Sequence, residues 1–205
     1  MRIYVLLSFM LLSSGFLWAQ SLPGQNSGLT YNTDTLHLNA AEMELAGLIN
    51  DYRNSRNLHS ITLSASLSLV ARVHVNDLDM NYRPGGRCNL HSWSSGGNWS
   101  SCCYTSDHSK AACMWEKPRE LSNYKGDGYE IAFYSSYEYD TPTGLVEDAL
   151  KGWKTSRGHN DLIVNLGKWA TADWKAMGVG VYRGFVVVWF GEETDPAGEP
   201  MVFRD

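Results

Sequence analysis

Two apolar segments near the C-terminus constrain the fold more than any other part of the sequence. Residues 177–182 and 185–190 are mostly apolar, and only Arg183 and Gly184 separate them. A two-residue connection of this kind is typical of a β-hairpin. Because residues 185–190 are apolar throughout, we expect both faces of that strand to be covered, in the centre of a sheet.

Helical patterns precede this hairpin. Apolar residues recur at helical spacing and predict helices over 39–53, 64–80 and 141–156, with Gly158 placed to end the third. Residues 128–134 alternate as a strand does. This order of elements predicts an α+β fold, a three-layer α-β-α sandwich around a central, mostly antiparallel sheet.

The N-terminus predicts an export signal. A charged start, an apolar run and a small residue at position 19 are typical of a signal peptide over residues 1–19. An uncleaved anchor is the alternative. Residues 20–37 are rich in Ser, Gly, Asn and Thr and predict a flexible arm. One domain is expected over 38–205, with a long insertion at 82–127.

The expected export signal and the net charge together indicate where the chain acts and which partners it excludes. No later segment is apolar enough over a sufficient length to span a membrane, so the mature chain is expected to be secreted or extracellular. The periplasm or the cell envelope are alternatives, and a monomer is expected. The formal net charge of -5 argues against a nucleic-acid partner.

Four cysteines lie close together, at Cys88, Cys102, Cys103 and Cys113. In an exported chain they predict two disulfides. Adjacent cysteines rarely bond to each other, so we expect Cys102 and Cys103 each to pair with an outer cysteine, in either arrangement. A zinc cluster is the rival interpretation, but the sequence lacks CxxC spacing.

Three short motifs carry candidate chemistry. His91 closely follows Cys88, Glu130 lies on the predicted strand, and His159 follows the predicted end of the third helix. Two imidazoles and a carboxylate from separate segments form a metal site or an acid/base site if the fold brings them together. His74, in the middle of the second predicted helix, is interpreted as a hydrogen-bonded core histidine.

Several segments together resemble the CAP superfamily, which is named for cysteine-rich secretory proteins, antigen 5 and pathogenesis-related proteins and is built on the SCP domain. The resemblance covers roughly residues 40–192. Its most specific part is residues 153–160 (Trp to Asn) followed by Gly-Val-Gly at 178–180. Residues 90–92 resemble the family's His-Ser step, and residues 128–131 resemble its Gly-Glu-Asn-Ile strand.

The resemblance implies a central cleft in which two His and two Glu often bind zinc or another divalent ion. By motif, the matching residues are His91, His159 and Glu130, while Ser156 stands at the position of the second family Glu. A weak site for Zn²⁺ or another divalent cation is therefore expected. The same cleft is expected to be lined by Ser92, Trp93, Ser156 and Asn160.

Three functions compete. The resemblance favours a non-catalytic binding or effector module that takes a lipid, sterol or peptide. A metal-assisted hydrolase or peptidase would hold its ion on His91 and His159 and activate water with Glu130, and a metal-free form would use Ser156 or Ser92 as nucleophile. Against catalysis, the sequence has neither HExxH nor GxSxG. The third possibility is a cell-envelope interaction protein with a purely structural cleft.

Overall fold

The computed structural model describes residues 32–202. The expected signal peptide and most of the expected arm therefore lie outside the described residues. The last residues of that expected arm lie within the described part of the chain and include regular structure. A 3-10 turn, Thr33–Thr35, leads into β1, His37–Leu38, which pairs in parallel with β5, Met201–Val202. Two buried leucines in this segment provide the apolar contacts that hold it.

The remaining elements follow the predicted order. The helices are α1 (Ala40–Asn54), α2 (Ala65–Asn81), α3 (Ala111–Trp115), α4 (Lys117–Leu121), α5 (Pro142–Thr155) and α6 (Arg157–Ile163), and the strands are β2 (Tyr129–Tyr134), β3 (Ala176–Tyr182) and β4 (Phe185–Gly191). A further 3-10 turn lies at Gly167–Trp169. Within residues 32–202, no helix has both the length and the apolar character needed to cross a bilayer.

The predicted hairpin is confirmed. β3 and β4 are joined at Arg183 and Gly184, and β2, β4 and β3 form an antiparallel sheet in that order. Every residue of β4 is buried, as expected for a central strand covered on both faces.

The starts of the main helices also agree with the sequence. The side chain of Asn39 accepts from the Glu42 N–H, and the Glu42 carboxylate accepts from the Asn39 N–H, each at 2.9 Å. These two bonds form the capping box. Ser64 caps α2 and Thr141 caps α5 in the same way, each through its side-chain oxygen.

The end of α5 differs from the prediction of a helix stopped by Gly158. Ser156 has extended backbone and separates α5 from α6, and Gly158 lies inside α6. The short helix α6 forms beyond this break because its residues Leu162 and Ile163 are buried in the core. His159 therefore lies in the first turn of a helix rather than after one.

Helices cover both faces of the sheet. On one face α1, α5 and α6 pack against alternate strand residues such as Ile131 and Val188. On the other face α2 packs against Val187 and Trp189. Because successive side chains along each strand point to opposite faces of the sheet, the strands contribute to two hydrophobic cores, one on each face. The predicted three-layer α-β-α sandwich is confirmed.

The layer formed by α2 lies very close to β3. A Cβ atom added at Gly178 would lie 2.1 Å from the carbonyl carbon of Leu67, and one added at Gly180 would lie 2.6 Å from that of Ala71. Any larger residue at these positions would collide with helix backbone, which cannot rotate away. The two glycines therefore set the distance between helix and sheet.

The insertion at 82–127 is held by two disulfides, Cys88–Cys103 and Cys102–Cys113. Each adjacent cysteine pairs with an outer one, as predicted, and the structure decides between the two arrangements. The insertion also contains α3, α4 and an antiparallel bridge between Trp93 and Cys102.

Gly178→Ala is expected to lower the free energy of unfolding by about 1–3 kcal/mol, because overpacking forces helix and sheet apart. Gly47→Ala is the matched control, since Gly47 lies exposed within α1 and an added Cβ meets nothing within 4 Å. That variant should gain about 1 kcal/mol from helix propensity. Urea unfolding of both variants measures the difference, and equal effects would contradict the close approach.

Reduction of the two disulfides should lower the free energy of unfolding by about 2–5 kcal/mol, because the unfolded chain regains conformational freedom. Thermal unfolding with and without reductant measures this effect. An unchanged melting temperature would show that the insertion does not depend on its cross-links.

Candidate functional site

Glu130 is the centre of the candidate site. It lies near the start of β2 with its side chain turned to the α2 side of the sheet, and that side chain is fully buried. One carboxylate oxygen is 2.5 Å from Nδ1 of His74, and the other is 2.7 Å from Nδ1 of His91. Burial alone would raise the pKa of Glu130, but the two histidines outweigh it and hold the pKa below its ordinary value.

His74 holds Glu130 from within α2. Its ring is fully buried, and its Nε2 lies 3.0 Å from the carbonyl oxygen of Ser92. A carbonyl can only accept, so Nε2 donates there, and Nδ1 faces the ionised carboxylate. The ring also stacks on Trp93, with ring centres 4.2 Å apart and planes 9° from parallel. The interpretation of His74 as a hydrogen-bonded core histidine is confirmed.

His91 reaches the same carboxylate from the insertion. Its backbone is held by the N–H donating to the Asn89 side chain at 3.0 Å and by the Cys88–Cys103 disulfide nearby. Its Nδ1 donates to Glu130, so the neutral ring carries its lone pair on Nε2, for which no partner is seen among residues 32–202. Tyr104 packs edge-on against this ring, and burial and the charge of Glu130 raise the pKa of Tyr104.

His159 approaches from the other side of the fold, on α6, and is half-buried. Burial lowers its pKa, and the positive charge that His91 carries when it is protonated lowers it further. The two rings are therefore close enough to interact electrostatically. We use the term histidine site for His74, His91, Glu130 and His159.

The other predicted cleft residues occupy two different places. The backbone N–H of Tyr104 donates to the Ser92 hydroxyl at 2.9 Å. Trp93 is only 2% exposed and packs against His74, and together with Ser92 it lines a cavity beside the disulfides.

Ser156 and Asn160 lie beside His159 on the α6 side. Ser156 precedes α6, and no side-chain hydrogen bond caps the helix there. Asn160 accepts a hydrogen bond from the Tyr52 hydroxyl at 2.7 Å, which ties α6 to α1. In the described part of the chain, neither Ser92 nor Ser156 forms a hydroxyl bond to a histidine nitrogen, so no activated serine is assembled.

The donor set fits a divalent cation only in part. Both oxygens of Glu130 are engaged by histidines, and no group of three or more His, Cys, Asp or Glu side chains in residues 32–202 is arranged as a metal site. The lone pair on Nε2 of His91 and the desolvated ring of His159 do suit a cation. A carboxylate that orients a ligating imidazole in this way is a common outer-shell partner in metal sites.

Sequence reasoning did not foresee that His74 shares the carboxylate of Glu130. The only signal was a histidine on the buried face of a helix, and that pattern alone does not reveal its partner. The two residues are 56 positions apart. Their contact depends on how α2 lies against β2, which the close approach at Gly178 and Gly180 decides.

A comparison with protein families shows which family has this combination of fold and motifs. A family model described as CAP, the cysteine-rich secretory protein family, matches residues 46–185. The chain belongs to the CAP family. The match includes α2, the insertion, both α5 and α6 and all of β3, and so every member of the histidine site. No curated protein sequence matches the chain.

Several solved structures are similar to the chain at low sequence identity. An extracellular SCP-domain protein from Bacillus anthracis is 19% identical with a TM-score of 0.50. The match covers 75% of this chain and 40% of the Bacillus anthracis chain. A cysteine-rich secretory protein from Staphylococcus aureus is 14% identical, with a TM-score of 0.47 and coverages of 75% and 39%. An outer surface protein from Borrelia burgdorferi is 16% identical with a TM-score of 0.48, and the match covers 78% of this chain and 99% of that protein. The CAP chain thus spans about two fifths of the first two proteins.

Glu130→Gln should lower the free energy of unfolding by about 3–5 kcal/mol, because it removes one partner of a buried charged pair. Glu147→Gln on the exposed side of α5 is the control and should change stability by less than about 0.5 kcal/mol. Denaturant unfolding at neutral pH measures both. Similar small effects would mean that the Glu130 carboxylate is not tied to the histidines.

The lowered pKa of His159 gives stability a defined pH dependence in chelator-treated protein. The unfolded chain takes up this proton first as the pH falls below about 6.5, so the folded state loses stability from there down to the folded pKa. His159→Asn should flatten this decline when unfolding is measured across the interval, whereas His59→Asn, at an exposed position, should not. An unchanged slope in His159→Asn would contradict the burial of this ring.

Proposed function

We propose that this CAP protein is an exported binding module that does not catalyse a reaction. The observation that carries the proposal is the state of Glu130, whose buried carboxylate has both oxygens engaged by His74 and His91. A general base must reach the water that it activates, and this carboxylate is fully buried, with each oxygen already paired with a histidine. The family model supports the module, and a hydrolase would need Glu130 to be released first.

His91 and His159 are the residues that would hold a divalent cation such as Zn²⁺, with Glu130 orienting His91 from behind. This arrangement replaces the expected three-ligand set, in which Glu130 bound the ion directly. Two protein ligands are fewer than the three or four usual for zinc, so binding is expected to be weak. A bound ion would supply a positive centre that attracts an anionic group of a ligand.

A hydrophobic ligand has a separate candidate position between α1 and α5. A cavity of about 340 Å³ there is lined by Leu48 and Leu150, by Lys151 and Lys154, and by Glu147 and Thr155, so that its bases outnumber its acids by one. Lysine side chains place apolar stems along such a pocket and keep their charge at its mouth. An acyl chain with an acidic head group would match this arrangement better than an uncharged sterol.

Export is supported by three separate observations. The N-terminal residues have the pattern of a signal peptide, the insertion has two disulfides, and the similar Bacillus anthracis protein is described as extracellular. A cell-envelope interaction protein would share these properties, but it would not need an available nitrogen on His91.

Zinc titration of the oxidised protein by calorimetry tests the proposal. We expect one weak site that is lost in the His91→Ala/His159→Ala variant and retained in His59→Ala, which removes an exposed histidine. Affinity should weaken below about pH 6, because histidine must be neutral to bind the ion. Equal binding by all three proteins, or no binding by any, would contradict the cation site.

Two further measurements separate the competing functions. Chelator-sensitive peptidase activity that disappears in Glu130→Gln would contradict the non-catalytic proposal. Co-purified or added fatty acid that is lost in Lys151→Glu/Lys154→Glu would support the cavity between α1 and α5. If neither is seen and binding to cell envelopes depends on residues 89–115, the interaction protein is the better description.

A further inference from the structure

A second concave surface lies beyond the C-terminal end of α2, away from the histidine site. The end of α2, the segment after β2 and the β3–β4 turn meet there around a cavity of about 910 Å³, a volume typical of ligand sites. Tyr82 lies eight residues after His74 on this helix, about 12 Å further along. The tyrosine groove, as we call it, is lined by the rings of Tyr82, Tyr134, Tyr137, Tyr139, Tyr182 and Phe185.

The rings of the tyrosine groove hold one another in place. Tyr134 stacks on Phe185 with ring centres 4.6 Å apart, and Tyr82 meets both rings edge-on at 6.1 Å. Tyr137 meets Tyr139 edge-on at 5.0 Å. A ligand that binds here would therefore pay little conformational entropy in side-chain ordering, which favours affinity.

Two of these rings are unusually open to solvent. Tyr137 is 71% exposed and Tyr182 is 39% exposed. By contrast, the hydroxyl of Tyr139 is anchored, donating to the Asp148 carboxylate at 3.1 Å and lying 3.2 Å from the Ser135 hydroxyl. Within residues 32–202, no hydrogen-bond partner is seen for the hydroxyls of Tyr137 and Tyr182. Exposed aromatic surface of this kind marks binding sites.

The polar groups of the groove are balanced in charge. Asp79 and Arg183 form an ion pair at 3.1 Å, and Arg83 donates to the carbonyl groups at the end of α2. Glu138 completes the set of two acids and two bases. The groove therefore presents strong donors and strong acceptors together, with no net formal charge.

We propose that the tyrosine groove binds a neutral oligosaccharide. A sugar hydroxyl both donates and accepts, so it can satisfy carboxylates and guanidinium groups at the same time. A pyranose whose substituents are all equatorial presents only axial C–H bonds on its faces, and these stack on tyrosine rings. β-1,4-linked glucose and N-acetylglucosamine chains have this property on every residue.

A proline-rich peptide is the alternative occupant, since such peptides also dock on aromatic grooves. It would present carbonyl acceptors but few N–H donors. Asp79 could keep its pairing with Arg183, but the exposed Glu138 would gain no hydrogen-bond donor from such a ligand. The balance of acids and bases therefore favours the sugar.

Cellohexaose and chitohexaose are the probes, titrated by calorimetry into the oxidised protein in the presence of a chelator, so that metal on the histidine site plays no part. At least one should bind. Tyr137→Ala should weaken binding about tenfold through loss of the stacked ring, whereas Tyr137→Phe keeps the ring and should weaken it by no more than about threefold. Circular dichroism checks that each variant remains folded.

Leu166→Ala is the matched control, because Leu166 is 50% exposed and lies outside the tyrosine groove. It should leave sugar binding unchanged. Failure of both hexasaccharides to bind at millimolar concentration would overturn the proposal. So would equal affinity of wild type, Tyr137→Ala and Tyr182→Ala, or binding of a polyproline peptide in place of the sugars.

Discussion

The buried carboxylate of Glu130 joins three segments that are far apart in the sequence. It lies on β2, and its two oxygens pair with His74 on α2 and His91 in the insertion. A buried carboxylate without partners costs several kcal/mol, so the strand, the helix and the insertion must come together for any of them to be stable in place. The residues that make the site are therefore also residues that assemble the fold.

The insertion shows how a segment with little regular structure becomes rigid. Two disulfides close it on itself, and α2 anchors it twice, through His74 donating to the Ser92 carbonyl and through Asp77 accepting from Ser94. The buried ammonium group of Lys117 lies 5.3 Å from the centre of the Trp93 ring. Rigidity here matters for function, because it fixes the direction in which His91 presents Nε2.

Local patterns predicted the layers because each depends on neighbouring residues: the start of the first helix at Asn39, the hairpin turn and the alternation along β2 were all confirmed. The end of the third helix near Ser156 was predicted, but α6 was not, since burial of Leu162 and Ile163 allows a helix to form across Gly158. Three members of the histidine site were anticipated from motifs. The role of His74 was not, because no local pattern shows which residue a buried imidazole will meet. The tyrosine groove likewise gathers tyrosines from separate segments.

The fold carries two separate surfaces: a histidine site organised by charge around Glu130, and a tyrosine groove organised by aromatic rings near the end of α2. The proposed cation site depends on Glu130 holding His91 with Nε2 unprotonated. Long-range ¹H–¹⁵N NMR of the imidazole rings in oxidised, metal-free protein tests this directly. We predict a proton on Nδ1 and a bare Nε2 for His91, with protons on both nitrogens of His74. A proton on Nε2 of His91 with a bare Nδ1 would contradict the account.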